Sequence, residues 1–219
     1  MIKTSNISLS YKNGINTQKI LENVTMEIKD GEFVIITGPS GSGKTTLLNI
    51  LSGHLKPNSG KVYWDDTPIY DLKENILSNK LLKESGFVYQ DFMLIDELNV
   101  FDNLILPKRL IKDKNDDAVY KIIEELELQN LLTKKPIVLS GGEKQKVAIA
   151  RSLVNNPKVL FCDEPTGSLD YNATHDVMEL LKYLNEKFKI TIVLVTHEQD
   201  NLKYATRIIK FYSDKLLCD

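Results

Sequence analysis

The stretch "GPSGSGKTT", Gly38 to Thr46, constrains this chain more than any other. It follows "EFVIIT", an apolar run rich in β-branched residues that reads as a buried strand. It precedes "LLNILSG", where Leu47, Leu48, Ile50 and Leu51 recur at helical spacing. Strand, glycine turn and helix in that order fit G-x-x-x-x-G-K-[ST], with Gly38, Gly43, Lys44 and Thr45 in the fixed places. Glycines let backbone N–H groups curl around phosphate oxygens, and the helix that starts there points its positive end at the same oxygens. The expected phosphate cradle is Gly38, Pro39, Ser40, Gly41, Ser42, Gly43, Lys44, Thr45 and Thr46. Lys44 is expected to reach the β- and γ-phosphates, and the Thr45 hydroxyl to hold Mg²⁺. The motif alone does not separate a kinase, a GTPase, a helicase and a transport motor.

Composition narrows the field. The chain has 219 residues, enough for one sizeable core or at most two small ones. Twenty-eight basic residues against thirty acidic ones leave a formal charge of −2, so no basic excess points to nucleic acid. Cys162 and Cys218 do not make a disulfide framework, and Cys162 sits in an apolar run as a small hydrophobe. The N-terminus "MIKTSNISLSYKNG" has no signal-peptide core, and no run approaches the ~18 apolar residues of a membrane span. The expectation is a cytoplasmic chain that needs a partner in order to act at a membrane.

Residues 2–9, 24–29 and 61–64 read as short strands punctuated by "KNG", "KDG" and "DDTP". They predict a small antiparallel layer around the phosphate-loop strand. "KDKNDD" (112–117) is a polar break, after which Val119, Ile122, Ile123 and Leu126 mark an amphipathic helix. "VLFCDE" (159–164) and "ITIVLVTH" (190–197) are two more buried strands with helical sequence between them, and "RIIKFYSDKLLCD" reads as a hairpin around "SD". The expected fold is α/β: a P-loop core with a largely parallel sheet, a small antiparallel β-subdomain and a helical insertion. One unit spans 1–219, with the insertion at about 91–139.

"VLFCDEP" puts Asp163 and Glu164 at the end of a hydrophobic strand. Behind a phosphate loop, the first is expected to hold Mg²⁺ and the second to act as general base on water. "VLSGGEKQKVAIARSLVNNP" opens with a capping box, Ser140 and Glu143, which leaves Gly141 and Gly142 unexplained, since glycine in a first turn weakens a helix. Close backbone approach by an anion would use them.

At this point the chain resembles the ATP-binding cassette (ABC) family, whose signature reads L-S-G-G-Q. Leu139, Ser140, Gly141 and Gly142 match; Glu143 stands where glutamine is commonest and Lys146 where arginine is commonest. The rest of the pattern follows in order. Gln90 in "GFVYQ" matches the glutamine that senses metal and attacking water and links to the membrane partner. Asp170 closes "SLD", the loop that crosses the dimer interface and lies near the nucleotide. His197 after "VLVT" matches the switch histidine at the γ-phosphate, and Tyr11 in "SLSYKNG" the aromatic that stacks on adenine. His54 and His175 match nothing and read as surface or packing residues.

The resemblance implies an ATPase using ATP and Mg²⁺, in which two copies close head-to-tail. Lys44, Gln90, Glu164 and His197 are then catalytic, and Thr45, Gln90 and Asp163 serve the metal. Ser140, Gly141 and Gly142 act in trans. It also implies an integral-membrane permease docking after Gln90, at "DFMLIDELNVFDNLILP", and a place on the inner face of the membrane. The wording "DEPTGSLD" is similar to the subgroup for lipoprotein release, macrolide or peptide export and antimicrobial-peptide resistance. A cell-division cassette and a non-catalytic regulatory module remain as alternatives.

Overall fold

The computed structural model describes residues 1–13, 16–212 and 215–218. The chain opens with a long hairpin, β1 (Ile2–Asn13) and β2 (Asn16–Ile28). The phosphate-loop strand β3 (Phe33–Thr37) leads into α1 (Lys44–Leu51). Then come β4 (Ser59–Trp64), β5 (Thr67–Pro68), α2 (Glu74–Glu84) and β6 (Ser85–Tyr89). A helical stretch carries α3 (Val100–Leu110) and α4 (Asp117–Glu125), followed by α5 (Gly141–Leu153). The second half is β7 (Val159–Asp163), α6 (Tyr171–Phe188), β8 (Thr191–Val195), β9 (Arg207–Tyr212) and β10 (Lys215–Cys218).

Ten strands form two sheets among the described residues. The antiparallel one runs β2-β1-β4-β5 and the larger one β10-β9-β3-β8-β7-β6. In the larger sheet β9, β3, β8, β7 and β6 are parallel and β10 is antiparallel to β9. The central strands are continuous apolar runs because both faces are covered. Phe33 and Ile35 enter one hydrophobic cluster, and Val34 and Ile36 enter the other. Leu160 and Cys162 alternate with Val159 and Phe161 in the same way, as do Ile192 and Leu194 with Val193 and Val195. Side chains of period two on a doubly covered sheet require this division. One cluster packs the sheet onto α3, α4, α5 and α6; the other packs it onto α1 and the antiparallel layer.

The expected layers are therefore present, with longer edges. The two strands placed at 2–9 and 24–29 extend to Asn13 and from Asn16, since backbone pairing continues through polar side chains. The turns expected at "KNG" and "SD" fall partly on residues 14 and 213–214, outside the described residues. Helix α2 goes unannounced in the pattern because none of its residues is fully buried; Leu77 and Leu81 pack only partly on the core. The stripe Val119, Ile122 and Ile123 is buried as its spacing requires. Cys162 is fully buried, and burial raises its thiol well above the ordinary range. Among the described residues no helix is long and apolar enough to cross a membrane.

Candidate functional site: a phosphate-loop cleft and a separate glycine-led helix

The loop between β3 and α1 accepts only glycine where the chain turns most tightly. A Cβ on Gly38 would lie 2.1 Å from the Phe211 carbonyl oxygen, so β9 and the loop could not sit side by side with any other residue there. Gly43 precedes α1 at φ 96°, a left-handed conformation that other residues rarely adopt. Lys44 is buried, and its ammonium donates to the carbonyls of Gly38 and Pro39 at 3.0 and 2.8 Å. The lysine is thus folded back along the loop it would serve. Ser42 Oγ is buried with no partner among the described residues, as a donor reserved for a ligand would be.

The two strand ends beside the loop carry the rest. Asp163 ends β7, and its carboxylate accepts a 2.9 Å bond from the Thr45 hydroxyl at the start of α1. Burial raises the Asp163 carboxyl above its ordinary value; the Thr45 bond opposes the rise and the neighbouring Glu164 adds to it. A hydroxyl and a carboxylate oxygen so placed are the hard oxygen donors that suit Mg²⁺, and the residues fit that ion. Glu164 follows with φ 46°, its amide held by the Val195 carbonyl at 2.9 Å. Such a backbone costs about 1–3 kcal/mol in a non-glycine residue and clusters at functional sites. It turns the side chain toward β8, where Glu164 Oε1 lies 3.2 Å from His197 Nδ1.

Gly38, Ser40, Lys44, Glu164 and His197 line one open cleft of about 570 Å³. Gln199, Lys210 and Tyr212 line it too, and no sequence motif singled them out. Tyr11 stands on the hairpin whose second strand brings Ile20 against Gly43; it pairs with Gln18 and is half-exposed. Gln90, just beyond β6, packs on the loop after Glu164: a Cβ on Gly167 would lie 3.0 Å from its amide nitrogen.

The signature residues stand elsewhere. Ser140 caps α5 through a full capping box, with Glu143 N donating to Ser140 Oγ at 3.2 Å and Ser140 N donating to Glu143 Oε2 at 2.8 Å. The two glycines also have a reason within the chain. Added Cβ atoms would lie 3.1 Å from Leu169 on Gly141 and 3.2 Å from Ala173 on Gly142, so they let α5 start tight against α6. Asp170 caps α6 by accepting from Ala173 N at 2.9 Å. Ser140, Gly141, Gly142 and Asp170 line a second, larger cleft of about 1080 Å³. Among the described residues the two linings share no member.

Several polar braces escape a reading of motifs. Gln145, fully buried on α5, donates to the carbonyls of Tyr89 and Pro165 at 3.3 and 2.6 Å, beside Gln90 and Glu164. Arg151 donates to Met93 O at 2.6 Å and Phe92 O at 3.1 Å, fixing the segment after Gln90. That segment is a loop, as its polar continuation implied. Met93 and Ile95 point outward, while Leu94 packs on the core. His54 lies edge-on to Phe87 with Nδ1 2.8 Å from Ser52 Oγ, and His175 Nδ1 lies 2.9 Å from the Tyr204 hydroxyl; both are packing residues.

What this fold and this site define is a P-loop ATPase. The chain belongs to the ABC transporter family, whose model matches residues 21–167. It is 43% identical to the uncharacterized ABC transporter ATP-binding protein MJ1508 of Methanocaldococcus jannaschii, over 99% of this chain and 98% of that protein. It is 37% identical to the bacitracin export ATP-binding protein BceA of Halalkalibacterium halodurans, over 95% of this chain and 84% of that one. Its fold matches the dimeric post-hydrolysis state of the cassette MJ0796 of Methanocaldococcus jannaschii bound to ADP and Pi. The TM-score is 0.90 with 38% identity, covering 100% of this chain and 98% of that one.

Proposed function

We propose that this chain is a single nucleotide-binding domain, residues 1–219 with a helical subdomain at about 91–139, that hydrolyses MgATP to drive a separate membrane permease. The observation that carries the chemistry is the convergence of Glu164 and His197 on the phosphate-loop cleft, 3.2 Å apart. Phosphoryl transfer needs positioning and charge neutralisation more than covalent chemistry. The loop amides between Gly38 and Thr46, Pro39 excepted, and the Lys44 ammonium hold the phosphates. Glu164 takes the proton of the attacking water, and His197 donates to the phosphoryl oxygens as charge develops. Thr45 and Asp163 would hold Mg²⁺ with Gln90 nearby, and the ion supplies charge neutralisation at the phosphates when bound. Tyr11 stacks on the base.

The separation of the two clefts supports a site shared between copies. Ser140, Gly141 and Gly142 line no part of the phosphate-loop cleft among the described residues, which favours their reaching it from a second copy. A two-fold arrangement then makes two equal composite sites, with Asp170 at the seam. The dimeric cassette relative supports the same arrangement. The exposed Met93 and Ile95, on the loop beyond Gln90, offer an apolar contact for the permease, on the inner face of the membrane. The relative named for bacitracin export favours export as the direction of work.

Mixing two dead variants tests the shared site. In a head-to-tail dimer of a Lys44→Ala chain with a Ser140→Arg chain, one site carries both defects and the other carries none. Equal mixing should restore about a quarter of wild-type turnover, because half the dimers are mixed and each has one good site. Mixtures that stay inactive at every ratio would leave the sharing unsupported.

A further inference from the structure

Glu164 and His197 sit on loops that leave neighbouring parallel strands, where the ladder between β7 and β8 ends at Asp163 opposite Val195. Beyond that point the two loops are joined by side chains. Thr166 Oγ1 donates to Glu198 Oε2 at 3.1 Å. Asn201 Nδ2 donates to the same carboxylate oxygen at 2.7 Å and to Thr166 Oγ1 at 3.2 Å, which closes a triangle. Glu198 N in turn donates to Thr196 Oγ1 at 3.0 Å. Thr166 is 1% exposed and Asn201 3%. A mutually satisfied polar triangle with two buried members is costly to break and defines one geometry, because Thr166 or Asn201 left alone loses its partners in a low-dielectric setting.

We infer that Glu198, with Thr166 and Asn201, is a positioning group that fixes the separation of Glu164 and His197. Thr166 lies two residues after Glu164, and Glu198 directly follows His197. A bond between them therefore sets how far the base loop and the histidine loop can part. None of the three lines the phosphate-loop cleft, so they act through the pair and not on the nucleotide. Glu198 is used as an acceptor of two donors, and its charge is not what the role requires. The inference rests on the proposed roles of Glu164 and His197.

The chemistry of the triangle gives matched variants. Thr166→Val keeps the shape and removes the hydroxyl, while Thr166→Ser keeps it. Glu198→Met removes the acceptor, while Glu198→Gln retains a carbonyl oxygen that can take both donors. Steady-state kcat and KM for ATP, with the thermal midpoint of each protein, are the measurements. Thr166→Val and Glu198→Met should lower kcat about ten- to a hundredfold, with KM within about twofold, as a small misplacement of reacting groups does. Thr166→Ser and Glu198→Gln should stay within about threefold of wild type. Glu198 is only partly buried, so Glu198→Met carries the test if Thr166→Val does not fold. Two results would overturn the inference: wild-type kcat in a folded Glu198→Met, or the same loss in Glu198→Gln, which would make the charge essential. Glu164→Gln and His197→Ala run alongside keep the two readings apart. If both retain turnover, the assigned pair is at fault; if both lose it while Glu198→Met does not, the triangle alone is at fault.

Discussion

Thr45 and Asp163, 118 residues apart in sequence, are joined by one hydrogen bond of 2.9 Å. It ties the first residue after the phosphate-loop lysine to the last residue of β7. Two hard oxygen donors are thereby held within reach of one cation, and the helix and strand that carry them share the core beneath.

The first prediction follows from that bond. Asp163→Asn keeps the shape and an acceptor oxygen but removes the charge that suits a divalent cation. Turnover should fall at least about a hundredfold, and the gain in ATP affinity on adding Mg²⁺ should shrink. Steady-state turnover reads the first, and titration of the nucleotide with and without a chelator reads the second. An unchanged magnesium dependence would remove Asp163 from the metal.

A second prediction concerns acid and the cap of α5. The backbone bond from Ser140 holds the Glu143 carboxyl below its ordinary value of 4.5. A group with a lowered folded pKa stabilises the fold above its unfolded value, and that contribution disappears as pH falls through the folded value. Glu143→Gln keeps the capping box but not the charge at the helix N-terminus. It should be less stable than wild type by about 0.5 kcal/mol at pH 7. The two proteins should converge at low pH, and denaturant unfolding at several pH values is the check. A gap that persists at the acid end would assign the difference to packing.

A third prediction divides the loop after Gln90. Met93 and Ile95 are exposed, whereas Leu94 packs on the core, and Arg151 holds the carbonyls of Phe92 and Met93. Met93→Ser and Ile95→Ser should leave the thermal midpoint and basal ATPase of the purified chain unchanged and impair only coupling to the permease. Leu94→Ser should cost about 1–2 kcal/mol in the purified chain, as expected for a partly buried leucine. Equal destabilisation by all three would make the whole loop part of the core.

Much of this fold was legible, for reasons that differ by element. Val34–Ile36, Leu160–Cys162 and Ile192–Val195 announce themselves because a strand buried on both faces needs an unbroken apolar run. The outer part of the β1–β2 hairpin does not, since its sequence there is polar and the strands are paired through their backbones. Helix α2 buries no residue fully and so leaves no stripe to read. In the site, Gly38, Lys44, Thr45, Asp163 and Glu164 could be found because loop and strand-end chemistry fix their spacing. Gln145, Thr166, Glu198 and Asn201 could not, because the bonds that join them across the site form only after distant segments meet. Each is an ordinary polar residue until then. The signature glycines leave room for an anion at the start of α5, and in the structure they also make room for Leu169 and Ala173.

In the proposed mechanism Glu164 is the base of a site that closes between two copies on ATP. Glu164→Gln tests it most directly, with turnover and size-exclusion chromatography measured on the same preparation in MgATP. Turnover should be lost, nucleotide binding retained, and a dimer should accumulate with ATP and be absent with ADP. Turnover at the wild-type rate, with a monomer in both nucleotides, would contradict it.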